Sequence, residues 1–88
     1  MVAFKLRDGR VLRPECERNG ENTWRIYSFQ ERRKRRNVAA TVCRKRLSFP
    51  GLANEFNTET DADATLRALI RTAQKSPSSV LFAAEEIR

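Results

Sequence analysis

The chain has 88 residues, 40% hydrophobic and 33% charged, with a net charge of +7 and a pI near 10.4. This is enough for one small globular domain, residues 1–88, whose modest core buries roughly 60–65% of the unfolded surface. The absence of histidine removes Ser-His and Cys-His catalysis, most zinc-site patterns and the usual general base near pH 7.

The charge is uneven. Residues 1–48 carry fourteen Lys or Arg against five Asp or Glu, whereas residues 49–88 carry four against six. A cationic half beside a nearly neutral one points to a polyanionic partner: nucleic acid first, an anionic membrane second. The membrane reading is weak, because no apolar run approaches the ~18–20 residues of a spanning helix. Lys5, Arg7, Asp8 and Arg10 also interrupt the N-terminus where a signal peptide would need an apolar stretch. A cytoplasmic protein of a bacterium, phage or mobile element is expected. There the two cysteines, Cys16 and Cys43, are free thiols with one or both buried, and an oxidising compartment would allow a disulfide between them.

Along the chain, FKLRDGRVLR (4–13) predicts a hairpin turning at Asp8-Gly9. Phe4 and Leu6 share one face of its first strand, and Val11 or Leu12 meets them from the second. Pro14 has no N–H to give a ladder, so that strand ends there or lies at an edge. Asn19-Gly20 marks another turn. TWRIYSF (23–29) is aromatic and β-branched, hence a strand. Alternation sets Trp24 and Ile26 on one face and Arg25, Tyr27 and Phe29 on the other, with Trp24 the core residue and Tyr27 the more exposed.

ERRKRRNVAATVCRKR (31–46) packs eight basic residues and one acid into sixteen positions. Two readings of 28–47 compete. Ser28-Phe29-Gln30-Glu31 fits a helix capping box, but Phe29 and Val38 fall on opposite sides of a helical wheel, so no apolar stripe forms. Strand–turn–strand, with ERRKRRN as the turn, fits better. Arg32, Arg33, Lys34, Arg35 and Arg36 then form a cationic finger at one end of a hairpin. Arg44, Lys45 and Arg46 lie near the other end, with Arg44 and Arg46 on one face and Lys45 on the opposite one.

Pro50-Gly51 closes this region. Residues 56–76 predict a helix capped by Thr58 or Thr60, with Glu59, Asp61 and Asp63 at the positive end of its dipole. Its buried stripe is Ala62, Leu66, Leu69, Ile70 and Ala73. SSVLFAAEEIR (78–88) admits a short second helix, with Leu81, Ala84 and Ile87 inward, or a terminal strand. Its adjacent Val80, Leu81 and Phe82 are a candidate homodimer contact. The expected fold is therefore α+β: a small antiparallel sheet of three to five strands packed on one main helix, with a short C-terminal element.

Adjacent like charges are unfavourable until phosphates neutralise them and condensed counterions are released. The candidate nucleic-acid-binding residues are accordingly Arg25, Tyr27, Arg32, Arg33, Lys34, Arg35, Arg36, Arg44, Lys45 and Arg46. DNA is favoured over RNA, and Tyr27 is a stacking or backbone partner. No carboxylate pair or glycine-rich phosphate loop stands out, so the chain reads as a binding protein and not an enzyme, with no catalytic residues, metal site or cofactor. A different class of function also fits: a small phage or mobile-element protein that inhibits an enzyme or defence complex through an acidic protein surface.

Trp24, Arg25, Arg32–Arg36, Arg44, Phe56, Thr58, Ala62 and Ala64, in that order, give residues 22–74 a resemblance to the three-stranded-sheet-plus-helix DNA-binding domains of phage integrase arm-binding regions and AP2-type modules. The resemblance implies a sheet laid in the major groove with the helix behind it. The extra N-terminal hairpin, the C-terminal element and the long segment 47–57 depart from that pattern, and no recombinase domain follows. The resemblance thus implies a stand-alone accessory binder.

Overall fold

The computed structural model of the chain describes residues 2–17, 23–32 and 41–87. Five antiparallel strands form one sheet: β1 (Phe4–Lys5), β2 (Val11–Cys16), β3 (Trp24–Arg32), β4 (Thr41–Arg46) and β5 (Glu85–Glu86). They lie in the order β4-β3-β2-β1-β5. One helix, α1 (Glu59–Ala73), packs against a single face. This is the expected α+β architecture of a sheet on one main helix.

The first hairpin forms where Asp8-Gly9 places it, but its turn is one residue longer than a two-residue loop. Leu6 N–H donates to the Arg10 carbonyl at 2.8 Å and Gly9 N–H to the Leu6 carbonyl at 3.0 Å, enclosing residues 7–9. Gly9 takes a φ of 91°, a conformation open to glycine because it lacks a Cβ. Asp8 accepts from the Arg10 backbone N–H at 3.0 Å and from its guanidinium at 2.7 Å. The backbone bond above all, with Arg10's charge, holds the Asp8 carboxyl below its ordinary range.

Phe4 stands opposite Leu12, so Leu12 and not Val11 is the inward partner. Pro14 does not end β2, which continues to Cys16. Its edge position explains why: β1 pairs only with Val11 and Leu12, leaving the rest of β2 bonded to β3 alone among the described residues.

β3 runs unbroken to Arg32, which overturns the helical reading of residues 28–32 and makes Glu31 and Arg32 strand rather than turn. Its alternation holds. Ile26 and Ser28 are buried on the helix side, and Trp24 packs partly buried against the same core. Trp24 also exchanges backbone hydrogen bonds with Phe56 at 2.7 and 2.9 Å, tying the long connection 47–58 to the sheet. Gly51, with φ of 78°, follows Pro50 in a turn where Leu52 N–H reaches the Phe49 carbonyl at 3.3 Å.

α1 begins at its cap: the Thr58 hydroxyl accepts from Asp61 N–H at 3.2 Å, satisfying one of the first-turn donors. Ala62, Leu66, Ile70 and Ala73 are buried as their spacing requires, with Leu69 partly so. Ala62, Leu66 and Ile70 meet Val2, Phe4, Leu6, Leu12 and Ile26 in one core. After the helix, turns lead to β5, which pairs Glu85 with Lys5 and Glu86 with Phe4. The C-terminal element is therefore a strand, and Ile87 is 46% exposed, not inward.

Both cysteines are free and exposed, against the expectation that at least one is buried. Cys16 lies opposite Trp24 and Cys43 opposite Gln30. Six residues of β3 separate those positions by roughly 20 Å, far beyond the ~7 Å Cα limit for a disulfide within one chain.

Candidate nucleic-acid interface

The sheet has an inner face under α1 and an outer face that no helix among the described residues covers. Strand alternation assigns Arg13 and Glu15 of β2, Arg25, Tyr27 and Phe29 of β3, and Arg44 and Arg46 of β4 to the outer face. The register stacks them in rows: Tyr27 stands between Arg13 and Arg46, and Phe29 between Val11 and Arg44.

Here aromatic rings form a floor and guanidinium groups lie on it. Arg13 sits over Phe29 with its guanidinium carbon 4.1 Å from the ring centroid, and Arg44 over Tyr27 at 4.7 Å. Tyr27 and Phe29 are themselves tilted together at 6.3 Å between centroids. A flat, weakly hydrated guanidinium gains from a ring face as an ammonium gains less readily, so arginine suits these positions.

Carboxylates occupy the arginine heads. Glu15 pairs with Arg44 at 3.3 Å. Glu17 is a hub, accepting from Arg46 at 3.1 Å and from the Tyr27 hydroxyl at 2.7 Å, with Arg25 Nε at 3.7 Å. Arg25 reaches on to Glu55 at 3.0 Å. The face is an arginine-rich net partly neutralised from within, and less cationic than the basic clusters alone imply.

Tyr27 corrects the expectation of an exposed stacking residue. It is only 3% exposed, roofed by Arg44 and with its hydroxyl already engaged. Burial first, then the bond to Glu17, pushes the Tyr27 phenol above its ordinary value of 10.0. Its work is to position Glu17 and carry Arg44. Arg25, with its side chain 12% exposed, is an anchor between β3 and the 47–58 connection rather than a free cation. Arg44, Lys45 and Arg46 are exposed as expected. Arg44 and Arg46 share the outer face, while Lys45, opposite Ser28, projects from the other side.

Arg32 is the last residue of β3, opposite Thr41. Arg33, Lys34, Arg35 and Arg36, with Asn37 to Ala40, lie between β3 and β4 outside the described residues. Arg32 itself lies five strand positions, or ~17 Å, from the Tyr27–Arg46 row.

Arg13 was absent from the sequence-based candidates, yet it has the closest guanidinium–ring contact and no carboxylate partner among the described residues. The hairpin phase was the available signal: with Leu12 inward, Arg13 must point outward. The glutamate partners had no comparable signal, because the pairings join residues eight to thirty apart that only the folded chain brings together.

No protein-family model matches the sequence, and comparison with curated proteins and with solved structures finds no match. No helix among the described residues is long and apolar enough to cross a membrane.

Proposed function

We propose that this protein binds nucleic acid, double-stranded DNA in the first place, as a non-enzymatic accessory factor. The outer sheet face and the basic β3–β4 connection form its contact surface. One observation carries the reading. Arg13, Arg44 and Arg46 lie on one face of adjoining strands that no described helix covers, and Arg32, the first residue of the basic run in the sequence, ends the strand between them. From the Arg46 row to Arg32 this spans about 17 Å of strand, a length suited to several successive phosphates.

The internal glutamates are compatible with this role. Exposed Arg–Glu pairs contribute only ~0–1 kcal/mol, so a phosphate that also releases counterions displaces them readily. Arg13, Arg44 and Arg46 make the phosphate contacts, Lys45 adds charge from the other side, and Arg25 and Tyr27 hold the face in place. The resemblance to integrase arm-binding and AP2-type domains points the same way, with the sheet as the reading surface. Such a protein works in the cytoplasm of its host, and a phage or mobile element is a natural source.

A second reading has its own supporting observation. Arg44 and Arg46 already grip carboxylates within the chain, and the acidic surface of an enzyme or defence complex offers the same group. Titration of the protein with duplex DNA, single strands and RNA at several salt concentrations separates the two. A nucleic-acid binder gives a steep fall of log affinity with log salt, and replacing Arg32–Arg36 by Ala flattens it by about 0.9 per lost phosphate contact on duplex DNA. Absence of binding to all three at low salt overturns the proposal and leaves the acidic protein partner.

A further inference from the structure

The helix has a face that the fold does not use. At 100° per residue, Asp61, Ala64, Ala68 and Thr72 fall within about 40° of Ala68 on the side opposite the buried stripe, and Lys75 follows in the turn two residues past the end of the helix. All five are exposed. The outer side of a surface helix is ordinarily charged, yet its middle here is alanine and threonine. Leu52 and Leu81, from the segments flanking the helix, join Leu69 to line an open apolar groove of about 710 Å³ along this face. Leu52, 47% exposed, is left uncovered within it.

We propose that a second copy of this chain fills the groove, with the two α1 helices packed antiparallel about a two-fold axis at Ala68. The stripe is self-complementary in the way an isologous contact demands. Its acid, Asp61, lies seven residues before Ala68, and its base, Lys75, lies seven residues after. Antiparallel self-pairing therefore sets Asp61 against Lys75 of the partner subunit, twice. It also sets Ala64 against the partner's Thr72, and Ala68 against itself. Opposed helix dipoles favour the same orientation. Small side chains at the crossing let the axes approach to ~8 Å, the near end of helix packing, so that Leu52, Leu69 and Leu81 reach across. A parallel pair would instead bring like charges together at both ends. A foreign apolar segment would leave Asp61 and Lys75 unanswered.

Sedimentation equilibrium of the full chain across a concentration series tests this without nucleic acid, so its outcome is separate from the binding reading. The wild type is expected to form a concentration-dependent dimer. Ala68→Glu puts two like charges on the axis and is expected to weaken association by roughly tenfold or more. Because Ala68 is exposed, the variant keeps its circular dichroism spectrum and melting behaviour. Asp61→Lys or Lys75→Asp alone weakens the dimer, and the two together restore it. A protein still monomeric at millimolar concentration overturns the proposal. So does a dimer indifferent to Ala68→Glu, or a double swap that fails to restore association.

Discussion

The two faces of the sheet are built from the same strands by opposite means. Under α1, Leu12, Pro14, Ile26 and Ser28 alternate inward and are all buried. Their contribution comes from apolar area removed from water and depends little on geometry. On the outer face no described helix covers the strands, and order comes from directed contacts: guanidinium over ring, phenol to carboxylate, arginine to glutamate. The first kind of face holds the fold. The second is arranged at low energetic cost, and its partners can be exchanged without unfolding the domain. A binding surface benefits from that separation.

Variants that separate stability from binding sharpen this contrast. The largest effect is expected inside. Leu66, fully buried at the centre of the helix stripe, should cost ~2–5 kcal/mol on replacement by Ala, measured by chemical denaturation, with the salt dependence of nucleic-acid binding unchanged in the folded fraction. Next comes the triple change of Arg13, Arg44 and Arg46 to Ala. Each exposed ion pair it removes is worth ~0–1 kcal/mol, so the fold survives, but the log–log salt slope of duplex binding should fall by about 2.7 at ~0.9 per phosphate. A triple variant that unfolds the domain would show that the outer face is structural and not exchangeable.

The smallest effect is at Tyr27→Phe, about 1 kcal/mol for the lost bond to Glu17, and it carries a pH signature. The phenol titrates above 10.0 in the folded chain. Its contribution is thus fully present below the unfolded value and is lost as pH rises through the folded one. Wild-type stability should fall through that alkaline range, and the Phe variant should lack this component of the fall.

What the sequence revealed divides along similar lines. The Asp8-Gly9 hairpin, the Thr58 cap and the Ala62–Leu66–Ile70 stripe were legible because their causes lie within one or two turns of chain. The two faces of β3 were legible from alternation alone. Tyr27 was misjudged because the group that covers it, Arg44, arrives from another strand at a register the residues do not announce. β5 stayed ambiguous against a helix because its partner β1 lies some eighty residues away. The arginine–glutamate net was invisible for the same reason: Glu15 and Glu17 look like solvated strand-end acids until β4 is aligned beside β3.

Among the described residues, β4 hangs on the sheet by one side only. It pairs with β3, and α1 packs on β2 and β3 without reaching it. Peeling it away therefore breaks one ladder and leaves the core intact, so its amides should exchange with deuterium through a local opening far less costly than global unfolding. Protection in β2 should by contrast track global stability. Arg44 and Arg46, two of the arginines proposed to meet the partner, thus ride on the least protected long strand, and complex formation should register first as slowed exchange there.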